Sequence, residues 1–423
     1  MNRNSRRRQK GAVIITVALL LLMLLGFMGF ALDFGKLFIV KSELQTAMDS
    51  CALAAAQELD LQPSALDRAR NAGRTAGNLN RVNFQSSTWT GKGQLTNSEI
   101  TFKDSTYNTT TDPAQAQYVQ CEHIQPGVQI WLLRAMGAFS GNTAAYPNTQ
   151  DVWASAVATR AHGQSTCPIP VAMKPKAGGV APNYGFVPGE WVTVITSQGA
   201  TPGGYIGWAN LDGSTSASET RLEMQGKCGT RVNDVVGTPG TQTTIAEDWN
   251  YRFGIYKKLP DFSTDPSYMR PDFSGYSYTD TNWPPNPANP NVRNAWSGTP
   301  YSGSTPNFST QRAAFAACAT SVSNCETTIG RTLNSFKDIA ASGTGSASHG
   351  AWGTNRRIVT VAVIDASNRI VDFACMLMLQ PLSVPMADVQ MEYLGNASLP
   401  TSPCSFSGMP GGVAGPLVPA LVR

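Results

Sequence analysis

The N-terminal part of the chain contains a long apolar segment without charged residues. It runs from Ala12 to Leu32, 21 residues, and follows a short basic tail at residues 1–11. A helix of this length covers about 31 Å at ~1.5 Å per residue, which matches the hydrocarbon thickness of a bilayer. We therefore predict a transmembrane helix at residues 12–32. The positions that we assign to membrane insertion are Gly11, Ala12, Leu19, Leu22, Leu25, Gly26, Gly29 and Leu32.

The pattern of residues after this segment predicts that the helix continues as a stalk. Residues 33–60 contain no proline, and apolar residues recur among them at helical spacing. We assign helix packing to five of these, namely Leu37, Leu44, Met48, Cys51 and Ala55. Such a stripe suits packing on the chain's own globular domain or on a helix of a partner subunit. The helical stalk as a whole is expected at residues 33–80.

Beyond the stalk helix the chain predicts one short helix and then mainly strands. The short helix is expected at Ser64–Leu79, with Ser64 as its N-cap and Asp67 three residues later. Six segments rich in β-branched and aromatic residues lie between turn residues and predict strands. They are Tyr118–Ile124, Val152–Thr159, Trp191–Thr196, Tyr205–Leu211, Arg357–Ile364 and Arg369–Leu379. The last two flank a turn at residues 365–368 and predict a β-hairpin.

Two further helices are predicted in the C-terminal half, at Gln311–Ser321 and Cys325–Ala341. The stretch Leu259–Tyr301 combines many prolines with aromatic residues, which predicts an irregular loop packed over the domain. The predicted fold class is therefore α+β. A long N-terminal transmembrane and stalk helix precedes a mainly β domain with a few helices and disulfides.

The distribution of charge separates the tail from the rest of the chain. The net charge is +4, but Arg3, Arg6, Arg7, Arg8 and Lys10 carry +5, so the remainder sums to −1. A nucleic-acid-binding face needs positive charge spread over a folded domain, so we expect no nucleic-acid partner. The positive-inside rule places the tail in the cytoplasm and the rest outside. A secretory signal cleaved at Gly29-Phe30-Ala31 is the alternative.

The cysteines indicate an oxidising compartment. The chain has 8 cysteines, all beyond the apolar segment, and none forms a Cys-x-x-Cys pair. The disulfide candidates are Cys121, Cys167, Cys228, Cys318, Cys325, Cys375 and Cys404. Cys318 and Cys325 form the one pair expected from their local spacing. We expect Cys51, on the stalk stripe, to be a small buried residue.

The sequence does not indicate an enzyme. Only 14% of the residues are charged, the chain has 3 histidines, and it lacks the Gly-x-Ser-x-Gly and phosphate-loop motifs. We expect no catalytic residues and no cofactor. One motif suggests an alternative: Asp212, Ser214 and Ser216 follow a predicted strand, as in the Mg²⁺ site of von Willebrand A-type adhesion domains. The alternative to a metal site is a serine-rich turn.

The N-terminal blocks resemble a known bacterial family. The basic tail, Gly-Ala, the apolar segment and then LDFGKLFIVKSELQ with an alanine-rich stretch resemble the N-terminal helix of TadE/TadG-like proteins of Flp (Tad) pilus-assembly systems. The resemblance covers residues 6–59 and extends more loosely to residues 118–170. In pilin-like members a glutamate is the fifth residue after the cleavage point, whereas counting from Ala12 that position is Thr16.

The resemblance implies a location, partners and a division of the chain. It implies a single-pass protein of the bacterial inner membrane with a periplasmic C-terminal part and a non-catalytic scaffold or interaction role. The implied partners are membrane lipid, other Flp/Tad pilus-assembly proteins and a second copy bound through the N-terminal helix. A minor pilin-like fibre subunit is an alternative. The exported part is expected to comprise a pilin-like β-containing region at 81–175 and an α+β region at 176–423, which includes the loop at 259–301.

Overall fold

A computed structural model describes residues 12–83, 94–131, 141, 148–199, 206–237, 245–258, 260–261, 264–272, 337–338, 356–382, 389–404 and 408–422. The chain divides into two compact units. The first comprises residues 1–160 together with 419–423, and the second comprises residues 161–418. The predicted α+β class is confirmed, with a long apolar N-terminal helix, a mainly β remainder, a few short helices and three disulfides.

The first unit packs two helices on an antiparallel sheet. Its helices are α1, Ala12–Gln57, and α2, Ala65–Leu79. A 3₁₀ turn at Asn97–Glu99 leads into the sheet, whose order is β1-β2-β3-β12. These strands are Ile100–Lys103 (β1), Tyr118–Gln129 (β2), Thr149–His162 (β3) and Leu417–Leu421 (β12).

The core of the first unit forms where small residues let the elements approach closely. Val119 and Cys121 alternate with more exposed neighbours on β2, as expected for a sheet with one covered face. On β3 the covered positions Ala154, Ala156 and Ala158 are all alanines. Gly77 in α2 lies against α1, where an added Cβ would approach the Cys51 Cβ to 3.3 Å. The two helices can therefore pack this closely because residue 77 is a glycine, and the alanines of β3 likewise leave room for the elements packed on the sheet.

The second unit is built around a closed barrel of six strands in the order β10-β11-β5-β6-β4-β9. The barrel strands are Val171–Met173 (β4), Trp191–Gly199 (β5), Ile206–Trp208 (β6), Ile358–Ile364 (β9), Ile370–Met378 (β10) and Val389–Asn396 (β11). Two short helices, Ala217–Met224 (α3) and Ala246–Tyr251 (α4), accompany it. A two-strand pair, Ile255–Tyr256 (β7) and Lys337–Asp338 (β8), and a 3₁₀ turn at Ser267–Met269 complete the described elements.

The core of the barrel is aromatic and branched. Trp208 on β6 meets Trp249 on α4 edge to face, with ring centroids 5.9 Å apart. The indole N–H of Trp249 donates to the Gln380 carbonyl at 2.9 Å, so its polar edge is satisfied while the ring is fully buried. Valines and methionines of β9, β10 and β11 fill the remaining interior. These long apolar runs fit strands that are covered on both faces.

All six predicted strands are present, and the predicted hairpin is confirmed. β9 and β10 pair antiparallel, and the Asp365 carboxylate accepts the backbone N–H groups of Ser367 and Arg369 at the turn. Asn368 there has a φ of 56°, a left-handed conformation that asparagine tolerates. Within the described residues, which resume at Ile206, the strand predicted at Tyr205–Leu211 ends at Trp208.

Two local predictions need correction. Ser64 does not cap α2 through its side chain, because its hydroxyl instead contacts the Arg68 guanidinium, which also pairs with Glu58 and Asp60. The helix predicted at Cys325–Ala341 is wrong at residues 337–338, which form a strand through backbone pairing with Ile255–Tyr256. The rest of that segment, the helix predicted at 311–321 and most of the loop predicted at 259–301 lie outside the described residues.

Candidate membrane anchor and its packed base

The apolar segment of α1 presents its large side chains outward. Leu19, Leu22 and Leu32 are 63%, 46% and 59% exposed. Gly26 is half-buried and Gly29 is buried, whereas Gly11 and the side chains of Ala12 and Leu25 lie outside the described part of the chain. Within that part, α1 is the one helix long and apolar enough to cross a membrane. By length and composition it is a candidate membrane anchor.

The charges that follow the apolar segment are turned toward the protein. Asp33 is only 5% exposed, and its carboxylate accepts the backbone N–H of Trp131 at 3.2 Å. Lys36 places its ammonium 4.6 Å from the centroid of the Trp131 ring, a cation–π contact. The first two charges after residue 32 therefore both lie against Trp131, at the end of β2. Sequence reasoning missed this arrangement, because Trp131 lies 98 residues beyond Asp33 along the chain and no local pattern connects the two.

The predicted packing stripe is covered by the chain's own first unit. Leu44, Met48, Cys51 and Ala55 are fully buried in the cluster formed with α2 and the sheet, and Leu37 is half-buried against it. Of the two arrangements that the sequence left open, the structure has the stripe on the chain's own domain. The apolar side chains that stay exposed on α1 therefore belong to its membrane segment and the turns that follow.

A disulfide fixes the helix to the sheet at this stripe. Cys51 on α1 is bonded to Cys121 on β2, across a sequence separation of 70 residues. Cys51 is buried, as expected, but it is also disulfide-bonded, because Cys121 faces the same core from the opposite element. Spacing could not show this, since the two cysteines meet only once the sheet lies under the helix.

Polar contacts between α1 and β3 add to this register. The Gln45 side-chain amide donates to the Ser155 carbonyl at 2.9 Å. The Lys41 ammonium donates to the Trp153 carbonyl and lies 5.0 Å from the Trp153 ring centroid. Beyond the helix end, the Arg160 guanidinium donates to the Leu59 carbonyl at 3.0 Å. The Gln45 and Arg160 bonds are partly buried and satisfy backbone acceptors that packing would otherwise desolvate.

Two more disulfides lie in the second unit, Cys167–Cys228 and Cys375–Cys404. The latter ties the barrel strand β10 to the segment that follows β11. Five of the seven predicted candidates are thus disulfide-bonded, Cys121 among them. Cys318 and Cys325, with the pairing expected between them, lie outside the described residues.

The Asp212 motif forms a hydrogen-bonded turn. The Asp212 carboxylate accepts the Ser214 backbone N–H at 2.9 Å, and the Ser214 hydroxyl accepts the Asn210 side-chain N–H at 2.9 Å. The Ser216 hydroxyl lies 2.8 Å from that of Ser218. Over the residues that the structure describes, no group of three or more His, Cys, Asp or Glu side chains is placed to hold a metal ion. The local geometry is that of an Asx turn entering α3.

Next to this turn is a buried carboxylate that sequence reasoning missed. Glu223 on α3 is 3% exposed and accepts the Leu211 backbone N–H at 2.9 Å. It lines a cavity of about 180 Å³ that Asp212 and Asp234 also line. Burial raises the pKa of the Glu223 carboxyl to about 7, the Leu211 N–H opposes this rise, and the charge of Asp212 adds to it.

This raised pKa predicts that Glu223 destabilises the second unit as the pH rises. The folded chain holds the Glu223 proton up to about pH 7, whereas the ordinary value is 4.5, so stability is lost through that window. The shift corresponds to about 3 kcal/mol. Glu223→Gln keeps a neutral side chain at every pH. Thermal unfolding should show the variant matching the wild type below the window and melting higher above it; parallel pH curves would contradict the assignment.

The described fold combines a candidate membrane helix with two folded units. It has one N-terminal helix suited to crossing a membrane, fixed by a disulfide to a small sheet unit, and a second unit with a disulfide-linked β-barrel. Residues 11–58 match the family model described as "Putative Flp pilus-assembly TadE/G-like". This stretch coincides with α1, and it agrees with the resemblance found in the sequence. A search of curated proteins and a search of solved structures found no match.

Proposed function

We propose that this protein is a non-catalytic, inner-membrane-anchored, TadG-like component of Flp/Tad pilus assembly, with a scaffold or interaction role in the periplasm. The observation that carries the proposal is the family match at residues 11–58, which covers the candidate membrane segment and the packed base of α1 as one stretch. The match supports a role connected with pilus assembly. The specific role in the periplasm is our inference.

Charge and disulfides support the proposed orientation. The basic residues before the apolar segment favour a cytoplasmic N-terminus under the positive-inside rule. The disulfides Cys51–Cys121, Cys167–Cys228 and Cys375–Cys404 all follow that segment, and disulfides persist in an oxidising periplasm. Both kinds of observation favour the same side of the membrane for the two folded units.

The build of the first unit supports a scaffold role rather than a fibre subunit. The stripe of α1 that includes Leu44 and Met48 is already covered by its own sheet, so packing into a fibre core would have to use the exposed apolar segment, where Thr16 lies. Thr16 stands where pilin-like members carry glutamate, and its hydroxyl donates to the Val13 carbonyl at 3.0 Å. Association with other Tad proteins or with a second copy would then use the exposed membrane segment or the periplasmic surface.

The test is genetic and ultrastructural. Deleting the gene in its native bacterium should abolish Flp fibres on the cell surface, and the full chain supplied in trans should restore them. Normal fibre numbers in the deletion strain would overturn the proposal. Recovery of the chain as a stoichiometric part of sheared fibres would replace it by the fibre-subunit alternative.

A further inference from the structure

The apolar surface of α1 does not stop where its charge-free segment stops. Phe34 and Phe38 follow Leu32 by two and six residues and are 55% and 74% exposed. They lie one turn apart on the side of the helix away from the buried Val40 and Leu44. Phe34 stacks on Phe30 with ring centroids 4.5 Å apart, so this aromatic surface continues that of the apolar segment.

The height of these residues points to the lipid headgroup layer. A bilayer of about 40–45 Å with a hydrocarbon core of about 30 Å leaves roughly 5–8 Å of interfacial region on each side. At ~1.5 Å per residue, Phe34 lies about 3 Å, Lys36 about 6 Å and Phe38 about 9 Å beyond Leu32 along the helix. The interfacial layer therefore includes Phe34 and Lys36 and reaches close to Phe38.

The sheet supplies an indole at the same height. Trp131 follows the end of β2, is 71% exposed, and lies under the Lys36 ammonium with its backbone N–H bonded to Asp33. Tryptophan and lysine are the side chains that the interfacial layer accommodates best, since each has an apolar body and a polar end. Asp33, the acid of α1 nearest this level, is buried and accepts the Trp131 backbone N–H, so its carboxylate is turned away from the surface that would face lipid.

We propose that Phe34, Lys36, Phe38 and Trp131 form a lipid-facing collar that inserts into the headgroup layer of the bilayer that α1 crosses. The first unit is then seated on the membrane surface instead of being held away from it by a bare stalk. The occupant is phospholipid because the collar continues the exposed membrane segment of the same helix without a break. This inference rests on the membrane anchor of the proposed function.

The chain contains its own control for this collar. Trp153 is 52% exposed and stacks with Lys41 in the same way, but Lys41 lies nine residues beyond Leu32. That is about 13 Å along the helix, outside the interfacial layer. Trp131 and Trp153 are thus exposed indoles with equivalent lysine partners at two different heights.

The test measures the depth of these two indoles. Full-length protein is reconstituted in vesicles of phosphatidylcholine and phosphatidylglycerol, with or without bromine on the acyl carbons nearest the glycerol, and tryptophan quenching is recorded. Trp131→Phe should lower the bromine-dependent quenching by at least about two-fold, because we expect the interfacial indole to contribute most of it. Trp153→Phe should leave the quenching unchanged.

Equal quenching of the wild type and Trp131→Phe would overturn the collar, whether water or another protein covers it. Flotation of the same vesicles separates this failure from failure of the anchor. Protein that floats but shows no Trp131-dependent quenching refutes the collar alone. Protein that does not float refutes the anchor, and the collar with it.

Discussion

Placing arginine at both Leu19 and Leu22 is expected to release the full chain from the membrane. The thirteen Leu, Ile, Val and Phe residues of residues 12–32 each favour insertion by roughly 0.3–0.6 kcal/mol, together about 4–8 kcal/mol. One arginine near the centre costs about 3 kcal/mol, so two of them cancel most of this gain. Both leucines are exposed on α1, so the change removes no packing within the chain.

Alkaline carbonate extraction measures this release. The double variant should move from the pellet to the soluble fraction, whereas the wild type should stay in the pellet. Leu79→Arg introduces the same chemistry at a leucine that is 78% exposed on α2, outside the membrane segment, and should behave as the wild type. A double variant that remains in the pellet would mean that residues 12–32 are not what holds the chain in the membrane.

Replacing Cys51 and Cys121 together by alanine is expected to lower the stability of the first unit by about 4 kcal/mol. The bond closes a separation of 70 residues between α1 and β2, and long closures restrict the unfolded chain most. Both cysteines are fully buried, so each alanine also leaves a small void. The membrane helix would then be joined to its sheet by packing and hydrogen bonds alone.

Hydrogen exchange of the full-length protein in detergent micelles checks this prediction. Amides of β2 and β3 should exchange up to about a thousand-fold faster in the double variant, since 1.4 kcal/mol corresponds to a factor of ten. The matched control is Cys375→Ala with Cys404→Ala, which opens a separation of 29 residues in the second unit. The control should leave the exchange of β2 and β3 unchanged. Unchanged exchange in the Cys51/Cys121 variant would show that the disulfide does not hold the unit together.

Features set by local pattern could be predicted from the sequence. Predicting the apolar segment requires only its composition and length. The stripe through Leu44, Met48 and Ala55 can be read from its helical spacing. The hairpin at residues 365–368 is set by its turn residues, and both of its strands were predicted. In each case the interacting residues are neighbours along the chain, so their spacing carries the information.

Features set by long-range contacts could not be predicted from the sequence. The Cys51–Cys121 bond depends on which face of β2 meets α1, and eight cysteines allow too many pairings for spacing to decide. The barrel includes parallel pairs such as β4 with β9. A long stretch of chain separates these two strands, and no local pattern indicates that they pair. Trp131 meets Asp33 and Lys36 across 98 and 95 residues, so the collar was invisible until the sheet lay beside the helix.

Protease protection in spheroplasts tests whether α1 crosses the inner membrane once. The full chain carries one epitope before Arg3 and another after residue 423, and protease is added to intact spheroplasts. The C-terminal epitope should be destroyed, while the N-terminal epitope should survive until the membrane is broken by detergent. Loss of both epitopes from intact spheroplasts, or protection of both, would contradict a chain that crosses the inner membrane once through α1.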